Sequence, residues 1–215
     1  MLVQDVMQHP VHTATAEMPL LEVYRTMDEH AIRHLPIMHH GELVGVVTDR
    51  DIRYSTRPGQ SDASHAKTPI QELMTRNPIT AGPLDPIEEA ARLMRTKTIG
   101  CLPVMDGDKL VGIVTVTNLL DAVIRLTGLE KPSGRLAVSL PDEPGQLAQL
   151  TMRIAEAGFD IRSVLSYYED ELTDGEAPSS RLRVILRLDT ISVRPVAQTL
   201  RDEGFDVIWP MPKPT

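Results

Sequence analysis

An internal repeat in the first half of the chain is the feature that most constrains the fold. At an offset of 67 residues, Pro19 aligns with Pro86, LPIM at 35–38 with LPVM at 102–105, and LVGVVT at 43–48 with LVGIVT at 110–115. Composition bias does not produce matches in register over this length, so the chain contains a duplicated unit. One such unit of about 60 residues buries only a marginal core, and we therefore expect the two copies to pack together.

Each copy is predicted to fold as strand, helix, strand, strand and helix. A short apolar strand is placed near Val11 or Ile79, and Pro19 or Pro86 opens the first helix, where its missing N–H costs nothing. Apolar residues then recur at helical spacing. The turns HHGE and DGDK join the next two strands. We place the copies at 1–60 and 68–126, with the turn-rich stretch 54–69 as their connector.

The last helix of the first copy begins within GVVTDRDI, residues 45–52. Thr48 and Asp51 have the spacing of a capping box, in which the hydroxyl caps the helix and the acid reaches back. The same hydroxyl, carboxylate and free backbone N–H groups could instead meet a phosphate and a ribose. Capping explains the spacing by itself, and one residue can also serve both roles, so both interpretations stay open.

The doubled pattern, h-P-h-h followed by G-h-h-T-x-x-[DN], resembles a pair of CBS domains, a Bateman module, over residues 1–126. CBS pairs are regulatory modules that bind adenosine nucleotides or related adenosyl compounds between the repeats. The resemblance implies that Thr48 meets phosphate and Asp51 the ribose, with Arg50 near the phosphates. It also implies an adenine pocket lined by the backbone around Arg33, His34 and Pro36, and by Thr13 on the first strand.

The second copy departs from this pattern, because GIVTVTN places Asn118 where Asp51 stands and Thr117 where Arg50 stands. An amide donates and accepts hydrogen bonds but lacks the charge that makes a carboxylate a strong acceptor for hydroxyls. We therefore expect the second site to be weaker, altered in specificity or empty. Its implied residues are Thr80, Ile99, Pro103, Thr115 and Asn118.

The segment 134–212 has a different pattern, predicted as strand, helix, strand, strand, helix and strand. RLAVSLP alternates like a strand, and the apolar spacing after DEPG indicates a helix that stops at Gly158. Strands are predicted at 162–168 and 182–188, separated by the polar loop ELTDGEAPSS, before a helix at 193–203. The predicted fold class is thus α/β (α+β): tandem β-α-β-β-α repeats followed by a ferredoxin-like βαββαβ domain.

LPDEPGQL and AGFDIRSV make this third segment resemble an ACT domain, a regulatory module that often binds an amino acid where two such domains meet. The resemblance implies an effector site with a helix N-terminus beside the ligand carboxylate, formed by Asp142, Pro144, Gly145, Gln146 and Asp160. Asp160 stands where the family often has Asn. The carboxylate of Asp160 suits an ammonium group of a ligand but repels a ligand carboxylate. DEPG is equally well explained as a turn that starts a helix.

The order CBS, CBS, ACT is similar to the AcuB group of acetoin-utilisation proteins, which implies a regulator of acetoin or acetate-linked metabolism. A net charge of −8 argues against a nucleic-acid partner, because phosphates require an excess of Lys and Arg. No apolar stretch is long enough to span a membrane, and no signal peptide is evident, so we expect a cytoplasmic protein without a membrane partner.

Known catalytic and metal-binding motifs are missing from the sequence: there is no Walker loop, G-x-S-x-G or H-E-x-x-H. The histidines lack a second cluster with ligand spacing, so no metal site is predicted. Cys101 is expected to be a small core residue. We therefore expect no enzyme activity, which nucleotide hydrolysis in a turnover assay would contradict.

The favoured function is a homodimeric ligand-sensing regulator that controls an unknown protein partner. Its ligand would be AMP, ADP, ATP or S-adenosylmethionine between the CBS repeats, with an amino acid at the ACT domain as a further ligand; no cofactor is required. The alternative is a structural dimerisation module with empty sites, which melting unchanged by nucleotides would favour.

Overall fold

The computed structural model describes residues 1–55, 67–170 and 180–212 and divides into two compact units, Met1–Ala122 and Val123–Thr215. Most of the predicted connector 54–69 and of the predicted loop ELTDGEAPSS lies outside the described residues. In the described part of the chain, no helix is long and apolar enough to cross a membrane.

The first unit contains the first repeat and the second repeat as far as Ala122, within its last helix. The first repeat comprises β1 (Ala14–Thr15), α1 (Leu20–Glu29), β2 (His34–His39), β3 (Glu42–Thr48) and α2 (Asp49–Ser55). The second repeat comprises β4 (Thr75–Arg76), α3 (Ile87–Lys97), β5 (Cys101–Asp106), β6 (Lys109–Thr115) and α4 (Val116–Leu126). Strands β1 to β4 form one sheet in that order, and β5 and β6 form a second.

Local sequence explains these elements. Pro19 and Pro86 occupy the N-caps of α1 and α3, one residue before the predicted first turn. The buried faces of these helices follow the predicted spacing, as Val23 and Met27 do in α1. His40 and Gly41 both have positive φ in the turn between β2 and β3, as a tight hairpin turn requires.

The prediction of a strand near Val11 or Ile79 is wrong in position. Strand β1 begins three residues after Val11, at Ala14, which pairs with Ile37. In the second repeat only an isolated bridge from Ala81 to Val104 corresponds to it. The apolar side chain of Val11 instead packs against buried residues of both repeats, so its hydrophobicity reflects packing between repeats rather than a strand.

The two repeats exchange their leading segments, which are the residues before α1 in the first repeat and before α3 in the second. In the second repeat this segment reaches back to the first, where Thr75 pairs with Val46 of β3 and the Ile70 N–H donates to the Met18 carbonyl. The first repeat mirrors this, since Gln8 bridges to Ile113 of β6 and the Val3 N–H donates to the Asp85 carbonyl. Ile70 and Val3 are fully buried, each in the core of the other repeat. Neither repeat therefore completes its core alone.

The second unit follows the element order β7 (Gly134–Pro141), α5 (Gln146–Glu156), β8 (Ile161–Asp170), β9 (Ser180–Leu188), α6 (Arg194–Asp202) and β10 (Asp206–Trp209). Its antiparallel sheet has the order β10-β7-β9-β8. This is the predicted βαββαβ order of the ferredoxin-like arrangement. Gly158 has positive φ just after α5, as expected for a helix stop. One face of the sheet packs against both helices through Val138, Val184 and Leu200.

Candidate functional site

Thr48 and Asp51 form the capping box predicted from their spacing. The Thr48 hydroxyl donates to Oδ2 of Asp51 at 2.7 Å, and the Thr48 N–H donates to the same oxygen at 2.9 Å. The Asp51 N–H in turn donates to the Thr48 hydroxyl at 3.2 Å. Both side chains are half-buried where β3 meets α2. The carboxylate is therefore held in one orientation by its own helix start.

Asn118 takes the same role in the second repeat. Its Oδ1 accepts from the Thr115 N–H at 2.9 Å and from the Thr115 hydroxyl at 2.8 Å, and its own N–H donates to that hydroxyl at 3.4 Å. The amide thus reproduces the geometry of the carboxylate without its charge. The two helix starts differ in electrostatics but not in shape.

Both helix starts line one cavity of about 1330 Å³ in the first unit. This volume exceeds the roughly 300–1,000 Å³ of ordinary small-molecule pockets. The one cavity includes both predicted sites, which we call the first half-site, at Thr48 and Asp51, and the second half-site, at Thr115 and Asn118. Nine of the twelve predicted nucleotide-site residues line it: Arg33, His34, Thr48, Arg50, Asp51, Ile99, Pro103, Thr115 and Asn118.

The other three predicted residues, Thr13, Thr80 and Pro36, do not line the cavity. Thr13 and Thr80 are exposed because each precedes a buried alanine that points inward, and successive side chains on an extended chain alternate in direction. Pro36 is buried as the cross-strand partner of Val46, and Val46 lines the cavity in its place.

Sequence reasoning missed the histidines that line the first half of the cavity. His9 and His12 come from the segment before β1, and His30 comes from the end of α1. The rings of His12 and His30 stack with centroids 3.7 Å apart and planes inclined by 21°. The repeat hides this pair, because the offset places Ile79 and Lys97 at the corresponding positions. Inspection of the residues just before the first strand could have found His9 and His12, but not His30 at the end of α1.

His34 reaches from the first repeat to the second. A Cβ on Gly100 would lie 2.7 Å from its Nε2. Burial lowers the pKa of His34, and the positive charge of Arg33 acts in the same direction, while Asp49 and Asp51 act in the opposite one. Its imidazole is therefore kept neutral more readily than an exposed one.

Cys101 takes the position of His34 in the second repeat and also lines the cavity. It is buried, and burial raises the pKa of its thiol to about 12. It packs with Val46, Ile113 and Val11, as expected for a small core residue.

The charges around the cavity are unevenly divided. The first repeat contributes Arg33, Arg50, Asp49 and Asp51, whereas the last helix of the second repeat contributes Asp121. An ion pair of 3.2 Å joins Asp49 to Arg53. Among residues 1–55, 67–170 and 180–212, no group of three or more His, Cys, Asp or Glu is placed to hold a metal ion.

The predicted effector residues of the third segment lie at the start of α5 and of β8. Asp142, Pro144 and Gly145 are exposed, with Gly145 at the N-cap and Gln146 beginning the helix. Asp160 is also exposed, and its Oδ1 accepts from the Ile161 N–H at 3.0 Å. The geometry thus contains the helix-starting turn of DEPG, and an amino-acid site there stays a prediction.

Comparison with known proteins gives a match to both repeats. The sequence pattern of the CBS domain matches residues 3–55 and 70–125, which together are half of the chain. The matched ranges include both helix starts, Thr48 with Asp51 and Thr115 with Asn118. They end before the second unit's sheet begins at Gly134.

Three solved structures are similar to part of this chain. The CBS domain pair of protein MJ0100, in complex with 5-methylthioadenosine and S-adenosyl-L-methionine, is 35% identical with a TM-score of 0.51, covering 61% of this chain and 98% of that one. A putative acetoin utilization protein (AcuB) from Vibrio cholerae is 31% identical with a TM-score of 0.54, covering 60% and 95%. CBSX2 in complex with AMP is 27% identical with a TM-score of 0.52, covering 58% and 97%. Because the family pattern matches both repeats, and the solved CBS pairs share their fold, the chain belongs to the CBS domain family.

Proposed function

We propose that this chain is a regulatory protein whose cavity between the CBS repeats binds an adenosine nucleotide or a related adenosyl compound. The observation that carries the proposal is the Thr48–Asp51 helix start, which presents an oriented hydroxyl and carboxylate to a cavity large enough for a nucleotide. The similar CBS pairs solved with S-adenosyl-L-methionine, 5-methylthioadenosine and AMP support the adenosyl class of ligand.

The chemistry of the first half-site suits such a ligand. A carboxylate accepts hydrogen bonds from a pair of ribose hydroxyls, and charge-assisted bonds of this kind are stronger than neutral ones. In the hydrogen bonds within the described residues, the capping box uses only Oδ2 of Asp51, which leaves Oδ1 as an acceptor. Arg33 and Arg50 line the same half and are exposed, so they can meet phosphate oxygens.

The two half-sites should differ in affinity. Asn118 offers a neutral oxygen where Asp51 offers a charged one, and that oxygen already accepts two hydrogen bonds from Thr115. The second half also has Thr117 in place of Arg50. We propose that the first half-site is occupied first and that the second binds more weakly or a different adenosyl compound.

Regulation would work through assembly and a protein partner rather than through catalysis. We propose a homodimer, in which ligand binding to the CBS pair changes how the C-terminal units meet, and these units would be ACT domains that respond to an amino acid. Thermodynamic coupling of this kind is reciprocal for binding. The likeness to the putative AcuB protein supports acetoin or acetate-linked metabolism as the process.

Melting in the presence of AMP, ATP or S-adenosylmethionine tests this function. At ligand concentrations about 100-fold above Kd, we expect the melting midpoint of the first unit to rise by about 5 °C or more. Adenosine-free phosphates serve as controls. An unchanged midpoint with every adenosyl compound would favour the structural dimerisation module. Steady release of phosphate from ATP would contradict the non-catalytic assignment.

A further inference from the structure

The sheet of the second unit has one face that α5 and α6 do not cover, and Gly128, beside Ser163 and Arg187, lies over one end of it in the described residues. Residues that alternate with the core positions of β7, β9 and β8 point to this face. Large side chains on it are open to solvent: Tyr167 is 54% exposed, Trp209 45% and Leu165 39%. Exposed aromatic and aliphatic side chains grouped on one sheet face mark an interaction surface more often than isolated ones do.

The register orders this face into rows. Leu165, Ile185 and Ala137 lie in one cross-strand row, and Trp209 of β10 is the partner of Ala137. The neighbouring row on one side pairs Arg135 with Arg187, and the row on the other side contains Arg183. We call this surface the arginine face, defined by Arg135, Ala137, Leu165, Tyr167, Arg181, Arg183, Ile185, Arg187, Ile208 and Trp209. A small cavity of about 230 Å³ lies on it, between Arg135, Tyr167 and Ile208.

The charges of the arginine face are only half compensated. Arg183 forms an ion pair with Glu169, and Arg181 pairs with Asp206 at 3.2 Å. Within the described part of the chain, Arg135 forms no ion pair, and the Arg187 guanidinium donates a hydrogen bond to the Ser133 carbonyl at 3.4 Å. Like charges directly opposite each other on neighbouring strands destabilise a sheet. The repulsion between Arg135 and Arg187 therefore destabilises the isolated unit, and a bound anion would remove that repulsion.

The composition of the arginine face also fits a protein partner. Arg, Tyr and Trp are the residues most enriched at protein–protein interfaces and among their energetic hot spots. The chain has one Trp and four Tyr, and this face exposes that Trp and one of the Tyr. A second copy meeting the same face would bring arginines towards arginines, so the charge favours an acidic partner over self-association.

We propose that the arginine face binds an acidic segment of a partner protein, with carboxylates on Arg135 and Arg187 and an apolar side chain on Leu165 and Ile185. The segment would place further carboxylates near Arg183, across the same row. This inference goes beyond adenosyl binding and does not depend on it, because every residue that carries it belongs to the second unit.

Trp209 provides a direct probe, since it is the chain's single tryptophan and lies beside the apolar row. The full-length protein is titrated with an acetylated Glu-Glu-Leu-Leu-Glu-Glu peptide while its fluorescence is followed. We expect saturable binding that weakens as sodium chloride rises from about 0.05 M to about 0.5 M. The Gln-Gln-Leu-Leu-Gln-Gln peptide is the matched control and should bind at least about tenfold more weakly.

Variants locate the site. We expect Arg135→Gln and Arg187→Gln to weaken binding roughly threefold each and about tenfold together, as lost exposed charge pairs do. Arg187→Lys retains the charge and should lose less, which guards against a folding defect. Arg153→Gln removes the same charge from α5, where Arg153 pairs with Glu156, and should leave peptide binding unchanged.

Four results would overturn the proposal. Equal weakening by Arg153→Gln would show a non-specific charge effect, and absence of binding to the acidic peptide at low salt would remove the site. Binding of inorganic phosphate or free glutamate as tightly as the peptide, with the same arginine dependence, would make the face a small-anion site. A concentration-dependent mass that Arg135→Gln abolishes would make it an interface between copies of this chain. None of these outcomes depends on whether nucleotide binds the first unit.

Discussion

The imidazole of His34 occupies the space in which a side chain on Gly100 would lie, with its Nε2 only 2.7 Å from the position of a Cβ there. The two residues belong to different repeats and both line the shared cavity. The neighbouring histidine therefore favours glycine at position 100, whereas the backbone φ of Gly100 lies outside the left-handed region and does not.

Gly100→Ala should destabilise the protein by about 1–2 kcal/mol, because the added methyl group displaces a half-buried ring. In a His34→Ala background the same substitution should cost little, giving a coupling energy of about 1 kcal/mol in a double-mutant cycle measured by urea unfolding. Strictly additive effects would show that the two residues do not constrain each other.

Gly45→Ala and Gly112→Ala test the exchange of leading segments. A Cβ on Gly45 would overlap the Sδ of Met74, and a Cβ on Gly112 would overlap the Sδ of Met7, each from the other repeat. We expect each substitution to lower the free energy of unfolding by about 1–3 kcal/mol. Gly82→Ala is the matched control, because the nearest atom to its Cβ is at an ordinary 3.4 Å.

Shortening the side chain of Met74 should rescue the Gly45→Ala variant. Met74→Ala removes the sulfur, so the loss caused by Gly45→Ala should be smaller in the Met74→Ala background than in wild type. The same loss in both backgrounds would argue against the exchanged arrangement.

His34 predicts a pH-dependent stability. Its pKa in the folded protein lies below the ordinary value of 6.5, chiefly through burial, so the unfolded chain binds more protons as pH falls below that value. The stabilising contribution is present above about pH 6.5 and is lost as pH falls through the lowered folded pKa. Urea unfolding of wild type and His34→Gln should show that the free energy of unfolding falls less in the variant than in wild type between pH 7.5 and pH 5.5. Equal losses would contradict this assignment.

Cys101 should resist thiol reagents in the folded protein. Burial raises its pKa to about 12, so the reactive thiolate is scarce at pH 8. Dithionitrobenzoate should react roughly 100-fold or more slowly with native protein than with protein unfolded in urea, and the single cysteine makes the reading unambiguous. Reaction at the unfolded rate would place the thiol at the surface.

The repeat in the sequence predicted the paired helix starts because the T-x-x-[DN] spacing acts locally: two residues three positions apart form the capping box, Thr48 with Asp51 and Thr115 with Asn118. The exchange of leading segments could not be predicted. Val3 and Ile70 present the same apolar pattern whether they pack in their own repeat or in the other, and only the tertiary structure distinguishes the two.

The histidines of the cavity were missed for a related reason. His12 and His30 are far apart in sequence and have unlike counterparts in the second repeat, so neither periodicity nor repetition marked them. Thr13 and Thr80 do not line the cavity because each precedes a buried alanine, and successive side chains of an extended chain point in opposite directions.

The most direct test of nucleotide binding exchanges the two helix starts. Asp51→Asn should keep the capping box, because Asn118 forms the same hydrogen bonds, while it removes the charge. Calorimetric titration of AMP, ATP and S-adenosylmethionine should show binding to wild type that Asp51→Asn weakens by about 1–3 kcal/mol, the range for hydrogen bonds to a charged group. Asn118→Asp should strengthen the weaker site. A folded protein that gives no heat with any of the three, or equal binding by wild type and Asp51→Asn, would reduce Thr48 and Asp51 to a helix cap.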